Sequence, residues 1–368
     1  MLYIHVPFCR AKCAYCDFYS TPKAGWMESY VDALAGEYDE RCPADFLPET
    51  LYLGGGTPSS LPLPLLYRLL SGLRLPDRLA EATIEANPED VTAEWVAGIV
   101  GNTPIDRVSM GVQTFDDGQL QFIGRRHTAA DALRAVATLR DGGVSNLSLD
   151  LIYGLPGQTL DSWRRSLDTM LALRPDHISA YLLSYEPRTR LGVMLDKGKV
   201  TEASDELVTA MYDHLCRATR EAGYEHYEIS NFALPGRRAR HNSGYWTSRP
   251  YLGLGPGAHS YFGGQRGSNP SDLAAYIARG GRGIHVVEEE DTANRLNDLL
   301  ITSLRTADGL DTERMTRDYP AAMTSEVLAE ADRLLDGGSL TRNAARHLVI
   351  PEDKWLTSNS ILLKLIIA

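Results

Sequence analysis

Three cysteines fall within eight residues near the start of the chain, in the segment Cys9-Arg-Ala-Lys-Cys13-Ala-Tyr-Cys16. Clustered thiolates are preferred ligands of soft metal ions and of iron–sulfur clusters. A four-iron cluster ordinarily takes four cysteines, so three leave one iron without a protein ligand and free to bind a small molecule. The spacing therefore predicts a 4Fe-4S cluster held by Cys9, Cys13 and Cys16.

Two other interpretations of these thiols stay open on the residues alone. The three cysteines could hold a zinc ion together with His5, or they could be unrelated buried residues. A zinc knuckle would usually show a second pair of ligands downstream, whereas Cys42 and Cys216 stand alone. Five cysteines with three in one loop do not form a disulfide framework either.

The elements that must position the thiols alternate between apolar, β-rich runs and amphipathic helical stretches. Six strand-then-helix units imply a parallel sheet. Six are fewer than the eight of a closed barrel, so we predict an α/β fold, a partial (β/α)6 TIM-like barrel. The predicted strands are Leu2–Phe8, Thr50–Leu53, Ala82–Ala86, Arg107–Val112, Asn146–Tyr153 and His177–Leu183. The predicted helices are Met27–Arg41, Leu65–Leu73, Ala93–Val100, Ala129–Arg140, Leu160–Leu173 and Ala203–Ala222.

Polar residues and glycines stand where the predicted strands end. Because these ends meet at one rim of a barrel, the side chains should lie together. Gly54–Gly56 follow the second strand and would let a ligand approach the backbone closely. Glu85, Gln113 and Asp150 belong to the next three strands or their ends, and Arg125 suits a carboxylate ligand. Taken singly, a tight turn or structural hydrogen bonds would explain the same residues.

Residues 231–290 are predicted to be an irregular segment rich in glycine and aromatic residues. It contains the run Arg237-Arg-Ala-Arg-His241-Asn-Ser-Gly-Tyr245-Trp246. Imidazole can ligate iron, aromatic rings can stack on a macrocycle, and arginines can pair with propionates. A loop that packs its aromatic side chains on the barrel edge explains the same composition, and the residues alone favour that interpretation. In the iron-macrocycle interpretation, the propionates would face Arg237, Arg238 and Arg240.

The remaining residues, 291–368, return to a helical pattern and end in a small hairpin. Three helices and two short strands predict a helical, winged-helix-like domain after a barrel at 1–230 and the irregular segment. The predicted helices are Ala293–Arg305, Asp311–Arg317, Ala322–Leu335 and Asn359–Ile367. The predicted short strands are Ser339–Thr341 and Arg346–Ile350.

Taken together, these motifs resemble the oxygen-independent coproporphyrinogen III oxidase family of radical S-adenosylmethionine (SAM) proteins. The resemblance implies a 4Fe-4S cluster whose open iron binds SAM, inside a partial barrel of the radical SAM type. The matching motifs are Tyr3-Ile-His-Val-Pro-Phe-Cys9, Asp17-Phe-Tyr19, Gly54-Gly-Gly-Thr-Pro-Ser59, Glu85-Ala-Asn-Pro88, Ser109-Met-Gly-Val-Gln-Thr-Phe115 and Asp150-Leu-Ile-Tyr-Gly-Leu-Pro156. The implied SAM contacts are Tyr3, Gly55, Gly56, Thr57, Glu85, Gln113, Arg125 and Asp150.

One residue and one motif separate the two functions that this family implies. The oxidases carry a further cysteine where this chain has Phe18, and a longer segment ahead of the cluster loop. Residues 241–246 instead resemble the HNxxYW motif of a heme-chaperone branch, which binds heme as cargo and hands it to target proteins. The resemblance implies heme-binding residues His241, Asn242, Tyr245 and Trp246, with His241 proposed as the iron ligand. The alternative is a radical SAM oxidase that decarboxylates porphyrinogen propionates, so enzyme activity stays open.

Composition restricts the partners and the compartment. A formal net charge of −11 over 368 residues argues against nucleic-acid binding through phosphate neutralisation. The first residues show no signal-peptide pattern, and the longest apolar stretch, Ile361–Ala368, is too short to span a bilayer. We therefore expect a cytoplasmic protein without a transmembrane segment, still able to make peripheral membrane contact. Its expected partners are heme and heme-accepting proteins, such as those of the respiratory chain.

Overall fold

The computed structural model describes residues 1–367, and its largest element is a nine-stranded sheet. Six parallel strands form the centre of this sheet, each hydrogen-bonded to the strand that precedes it in the chain. This arrangement confirms the predicted partial barrel. The strands are β1 (Leu2–Val6), β2 (Thr50–Gly55), β3 (Glu81–Ala86), β4 (Arg107–Gln113), β5 (Leu147–Tyr153) and β6 (His177–Leu182).

Three short strands extend the sheet at its two edges. An antiparallel hairpin of β7 (Glu225–Glu228) and β8 (Asn231–Ala233) pairs with β6. At the other edge, β9 (Leu252–Leu254) runs parallel to β1. The sheet therefore continues past residue 230. Strands of three or four residues are too short to show a hydrophobic period, which explains why none of the three was predicted.

Helices follow the strands of the barrel, and in six of the eight a side chain caps the first turn. Thr128 and Thr159 each accept from the backbone N–H three residues later and form capping boxes. The helices are α1 (Met27–Arg41), α2 (Leu63–Ser71), α3 (Ala93–Asn102), α4 (Asp117–Phe122), α5 (Ala129–Asp141), α6 (Leu160–Ala172), α7 (Arg190–Asp196) and α8 (Asp205–Glu221). Within residues 1–367, no helix has the length and apolar character needed to cross a bilayer.

The rest of the chain forms two smaller sheets and six helices among the described residues. Residues 231–290, expected to be irregular, contain a short helix after β8, then β9 and a three-stranded antiparallel sheet. These elements are α9 (Arg240–Trp246), β10 (His259–Phe262), β11 (Gln265–Ser268), α10 (Leu273–Ala278) and β12 (Val286–Val287). The C-terminal elements are α11 (Thr292–Ser303), α12 (Thr312–Asp318), α13 (Ala321–Asp336), the hairpin β13 (Thr341–Arg342) and β14 (Leu348–Val349), and α14 (Ser358–Leu365).

Alternation along the parallel strands separates an apolar face from a polar face. Successive side chains of a strand point to opposite sides of the sheet. One set is apolar and fully buried in the core, and includes Ile4, Leu53, Ile84, Met110 and Leu149. The alternate set is polar and faces the interior of the barrel, and includes Tyr3, Tyr52, Glu85, Arg107, Asp150 and Ser179. The fold thus turns a row of polar residues toward one cavity.

Candidate functional site

A cavity of about 740 Å³ occupies the interior of the barrel. It brings together every residue predicted to hold the cluster or SAM. Those residues are Cys9, Cys13, Cys16, Tyr3, Gly55, Gly56, Thr57, Glu85, Gln113, Arg125 and Asp150. His241, Asn242 and Tyr245 also line this cavity, whereas its described lining does not include Trp246.

The cysteine loop is closed at its base and held against the barrel rim. Phe8 and Thr21 pair as an isolated bridge, and the Cys9 N–H donates to the Thr21 carbonyl at 3.0 Å. The Ala14 N–H donates to the Ile123 carbonyl at 2.9 Å, which ties the middle of the loop to the segment after α4. These backbone contacts fix the loop that presents the three thiols to the cavity.

The donor set fits an iron–sulfur cluster better than a zinc ion. Both ring nitrogens of His5 are occupied, because Nδ1 lies 3.1 Å from the Tyr3 hydroxyl and Nε2 lies 2.8 Å from the Tyr19 carbonyl. His5 is therefore not available to complete a zinc site. In the part of the chain that the structure describes, His, Cys and acidic ligand atoms converge within 4.8 Å only at Cys216, His226 and Glu352. The three loop thiols do not converge this closely, which suits a cluster better than a single small ion.

Polar groups around the loop thiols would favour their thiolate form. The Cys9 sulfur lies 3.0 Å from the Thr57 hydroxyl, and Arg125 Nη1 donates toward the Cys13 sulfur at 3.6 Å. Burial nevertheless raises the pKa of the Cys16 thiol to about 11 in the absence of metal. Ligation to iron would have to overcome that preference for the protonated thiol.

Two buried carboxyl groups provide acceptors inside the cavity. Glu85 Oε1 accepts from the Tyr52 hydroxyl at 2.8 Å, and Oε2 accepts from the Gly55 N–H at 3.1 Å. Burial raises the pKa of Glu85 to about 7 and that of Asp150 to about 6. Within the described residues, one Asp150 oxygen is buried without a hydrogen-bond partner. A cationic or hydroxyl-bearing ligand such as SAM would satisfy both groups.

The end of β4 is distorted where it meets the cavity. Gln113 has a positive φ of 69°, and the pairing with β5 shifts register between Gly111 and Gln113. Arg125 Nη2 donates to Asn87 Oδ1 at 2.7 Å and to the Gly111 carbonyl at 2.6 Å. Unusual backbone of this kind at a strand end is typical of binding sites, where it re-aims a side chain.

The glycine run after β2 is required first by the protein's own packing. Gly56 donates to the Val6 carbonyl at 2.8 Å, and the next residue, Thr57, donates to the Phe8 carbonyl at 2.7 Å. A Cβ at Gly56 would lie 2.7–2.9 Å from backbone atoms of Val6 and Phe8. Gly56 therefore lets two strand ends approach each other. The close packing adds a structural reason for this glycine to the predicted approach of a ligand.

Helix α9 carries the HNxxYW residues and places His241 in the interior. His241 is 1% exposed, with Nδ1 2.8 Å from the Thr50 hydroxyl and Nε2 2.9 Å from the Tyr245 hydroxyl. Burial lowers its pKa to about 3, so the imidazole is neutral. The backbone N–H groups of Arg240 and His241 donate to the Glu81 carboxylate at 2.8 and 2.9 Å. Ligation of iron by His241 would require the contact with Tyr245 to open.

Two of the three arginines before His241 already pair with acidic side chains. Arg237 pairs with Asp176 at 3.5 Å, and Arg238 donates to Glu225 and Asp308 at 3.1 Å each. The third, Arg240, is exposed, and the described lining of the barrel cavity includes none of the three. The prediction that these arginines face heme propionates therefore gains no support at this cavity. A run of charges in sequence does not determine which face of the fold each side chain occupies.

Several cavity residues were not predicted from the sequence. Tyr52 holds Glu85, and Asn87 connects Arg125 to Thr57 through its side-chain oxygen and nitrogen. Arg107 and His177 are fully buried inside the barrel. The sequence does contain a pattern that could have identified Arg107 and His177. Each is a polar residue on a largely apolar strand, and buried parallel strands are usually apolar throughout.

Comparisons with known proteins agree with this fold. The Radical SAM superfamily model matches residues 3–170. The solved structure of coproporphyrinogen III oxidase (HemN) from Escherichia coli, described as a radical SAM enzyme, superposes with a TM-score of 0.84. That match covers 99% of this chain and 89% of the other at 22% sequence identity, and so concerns the fold alone. Over residues 3–170 the chain thus matches the radical SAM class of proteins.

Similar proteins identify the family within this class. Heme chaperone HemW of Bacillus subtilis is 36% identical over 98% of this chain and 97% of its own length. Heme chaperone HemW of Synechocystis is 39% identical over 74% of this chain and 69% of its own length. The chain therefore belongs to the HemW family.

Proposed function

We propose that the protein is a heme chaperone that carries a 4Fe-4S cluster and SAM in the barrel cavity and delivers heme to acceptor proteins. The observation that carries this proposal is its similarity, over 98% of the chain, to a protein named heme chaperone HemW. The position of α9 supports it, because this helix presents His241, Asn242 and Tyr245 to the same cavity as the three thiols.

The residues of the cavity suit the two resident cofactors in different ways. Cys9, Cys13 and Cys16 would hold the cluster, which when bound can supply an electron to SAM. Glu85 and Asp150 offer carboxylates to the positive groups of SAM. The other predicted SAM contacts would position SAM along the rim of the barrel. These are Tyr3, Gly55, Gly56, Thr57, Gln113 and Arg125.

The heme cargo would bind close to α9. His241, Asn242, Tyr245 and Trp246 are the proposed heme-binding residues by their match to the HNxxYW pattern. Heme-accepting proteins, such as those of the respiratory chain, are the proposed recipients, and the cytoplasm is the proposed compartment. Contact with a membrane would then be peripheral, since no described helix can cross one.

The alternative function is decarboxylation of coproporphyrinogen III by radical SAM chemistry. Phe18 stands where the oxidases of this family carry a further cysteine, and it is 67% exposed at the mouth of the cavity. An exposed phenyl ring is suited to contact an apolar ligand and offers no thiol. This residue favours the chaperone over the oxidase.

A single anaerobic preparation tests both functions. The cluster is reconstituted, hemin is titrated in, and the same protein is incubated with coproporphyrinogen III, SAM and a reductant. We expect stoichiometric heme binding and no protoporphyrinogen by product analysis. Catalytic conversion of coproporphyrinogen, or failure of the reconstituted protein to bind heme, would overturn the proposal.

A further inference from the structure

A second cavity of about 540 Å³ lies beside the first, between the β1–β9 edge of the sheet and the C-terminal helices. Tyr3, Phe18 and Tyr245 line both cavities and so form the wall between them. Arg295 and Thr302 of α11 and Tyr319 after α12 line the opposite side. Both its volume and its mixed apolar and polar lining suit a large organic ligand.

One histidine in this second cavity is free to ligate a metal. His259 lies on β10 and is exposed, and neither of its ring nitrogens has a hydrogen-bond partner among residues 1–367. The other histidine of the lining, His5, has both nitrogens occupied by Tyr3 and Tyr19. His241 is likewise occupied and buried. Of these three imidazoles, His259 alone can take an iron atom without breaking a contact.

Aromatic side chains supply flat apolar surface around His259. Phe18 is 67% exposed and lines this cavity, so its ring is free to contact a ligand. Tyr245 and Tyr251 pack edge to face with ring centroids 4.7 Å apart. With Tyr261 and Tyr319 they surround a space that a planar macrocycle could fill.

The cations of the second cavity include one without an acidic partner. Arg188 pairs with Asp17 and Arg249 with Glu49, while Arg266 pairs with Glu290 and Asp298. Arg295 has no carboxylate within salt-bridge distance among the described residues, and its Nη2 donates to the Thr292 hydroxyl at 3.2 Å. A ligand carboxylate would give this half-buried guanidinium the partner that it lacks.

We infer that heme binds in this second cavity, with the His259 imidazole as an iron ligand and Arg295 beside a propionate. His241 is then a positioning residue that acts through its contact with Tyr245, the ring in the wall between the cavities. The inference rests on the proposed heme function and adds a binding site and an iron ligand to it.

Heme titration of the reconstituted full chain tests this site by affinity and by spectrum. His259→Ala should shift the Soret band, remove the imidazole signature in electron paramagnetic resonance, and weaken hemin binding at least tenfold. Added imidazole should restore the wild-type spectrum. The matched control is His214→Ala, because His214 is a partly exposed histidine on α8 that lines neither cavity. The control should leave both readouts unchanged, and cluster content should be normal in both variants.

Variants of α9 test the positioning role. His241→Ala and Tyr245→Phe remove the same contact, so each should weaken hemin binding by a similar factor and retain the imidazole signature. The double variant should add no further loss. A His259→Ala protein with the wild-type spectrum and affinity, or loss of imidazole ligation in His241→Ala, overturns the inference but leaves the proposed function standing. A wild-type protein that does not bind hemin overturns both.

Discussion

The His241 imidazole and the Tyr245 hydroxyl lie one helical turn apart on α9, with Nε2 and the phenolic oxygen separated by 2.9 Å. The other imidazole nitrogen is held by Thr50 of β2. Two side chains that the sequence motif associates with a ligand are therefore bound to each other and to the sheet. Since Tyr245 borders both cavities, this pair connects the barrel interior to the space beside it.

Removal of one loop thiol should abolish the iron–sulfur cluster. Cys9→Ala, Cys13→Ala and Cys16→Ala each delete one of the three protein ligands, and the structure offers no other cysteine in the described cavity lining. Iron and acid-labile sulfide, measured after anaerobic reconstitution, should fall to background. Cys42→Ala is the matched control, because Cys42 is a buried thiol at the end of α1. Full cluster content in Cys13→Ala would contradict the assignment.

SAM affinity should depend on Glu85 and on pH. Glu85→Gln removes a carboxylate that a positive ligand group would contact, which should weaken binding about ten- to a hundredfold, or about 1.5–3 kcal/mol. Because burial raises the pKa of Glu85 to about 7, the carboxyl is protonated below that pH and ionised above it. Affinity measured by calorimetry should therefore rise as pH increases through 7.

The pH dependence of SAM affinity can show whether Glu85 or another group causes it. Glu85→Gln should flatten the profile, whereas Glu49→Gln, at an exposed carboxylate paired with Arg249, should keep it. An unchanged slope in Glu85→Gln would show that another group, such as Asp150, dominates the response.

Substitution of Gly56 should destabilise the protein even without SAM. The added methyl of Gly56→Ala would meet backbone atoms at 2.7–2.9 Å and force the ends of β1 and β2 apart, at a cost of about 1–3 kcal/mol. Urea denaturation of the cofactor-free chain measures this change. The control is Gly101→Ala, because a Cβ there meets nothing within 4 Å. Equal stability of the two variants would contradict the crowding argument.

A polar contact should help hold the C-terminal region to the sheet. His226 Nδ1 of β7 donates to Glu352 Oε1 at 2.8 Å, and this bond is the main cause of the lowered pKa of Glu352. Glu352→Gln should destabilise folding by about 1 kcal/mol, since the carboxylate is partly exposed and screened by solvent. Glu330→Gln, at a surface pair with Arg333 on α13, is the control and should change stability less.

The pH dependence of this contact follows from the direction of the shift. The folded pKa of Glu352 lies below its unfolded value, so the stabilisation is present above the unfolded pKa and is lost as pH falls through the folded pKa. The stability difference between wild type and Glu352→Gln should therefore shrink in acid. A difference that grows as pH falls would refute the assignment.

Heme affinity should respond to Arg295 and not to the arginines before His241. Arg295→Ala removes the cation that lacks an acidic partner, so hemin binding should weaken and lose part of its dependence on salt. Arg238→Ala is the control, because Arg238 already pairs with Glu225 and Asp308. The reverse result in hemin titrations at low and high salt would restore the interpretation that the basic run binds propionates.

The order and ends of the central strands follow from the sequence because each has enough residues to show its own pattern. The predicted strand Arg107–Val112 differs by one residue from β4, and the predicted helix Met27–Arg41 coincides with α1. The convergence of Glu85, Gln113 and Asp150 followed from the rule that parallel strands place their ends at one rim. The bounds of the strands and helices depend on local periodicity. The convergence of the site residues depends on the common rim at which parallel strands end.

Features that depend on contacts distant in sequence could not be predicted in this way. The burial of His241 depends on Thr50 and Glu81, which belong to strands more than 150 residues earlier in the chain. The availability of His259 depends on the space left between the barrel and α11. Neither a motif nor a hydrophobic period carries this information, because it arises only when separate elements pack.

The pairing of β1 with β9 has a consequence for the order of events during synthesis. Ile4 pairs with Leu254, made 250 residues later, and the Leu273 N–H donates to the Tyr19 hydroxyl at the end of the cysteine loop. The ribosome therefore releases the three thiols long before it releases the residues that cover this edge. Closure of so distant a pair is slow, and thiols stay open to oxidation until it occurs. We expect cluster insertion to be a late step, after residue 273 has left the ribosome.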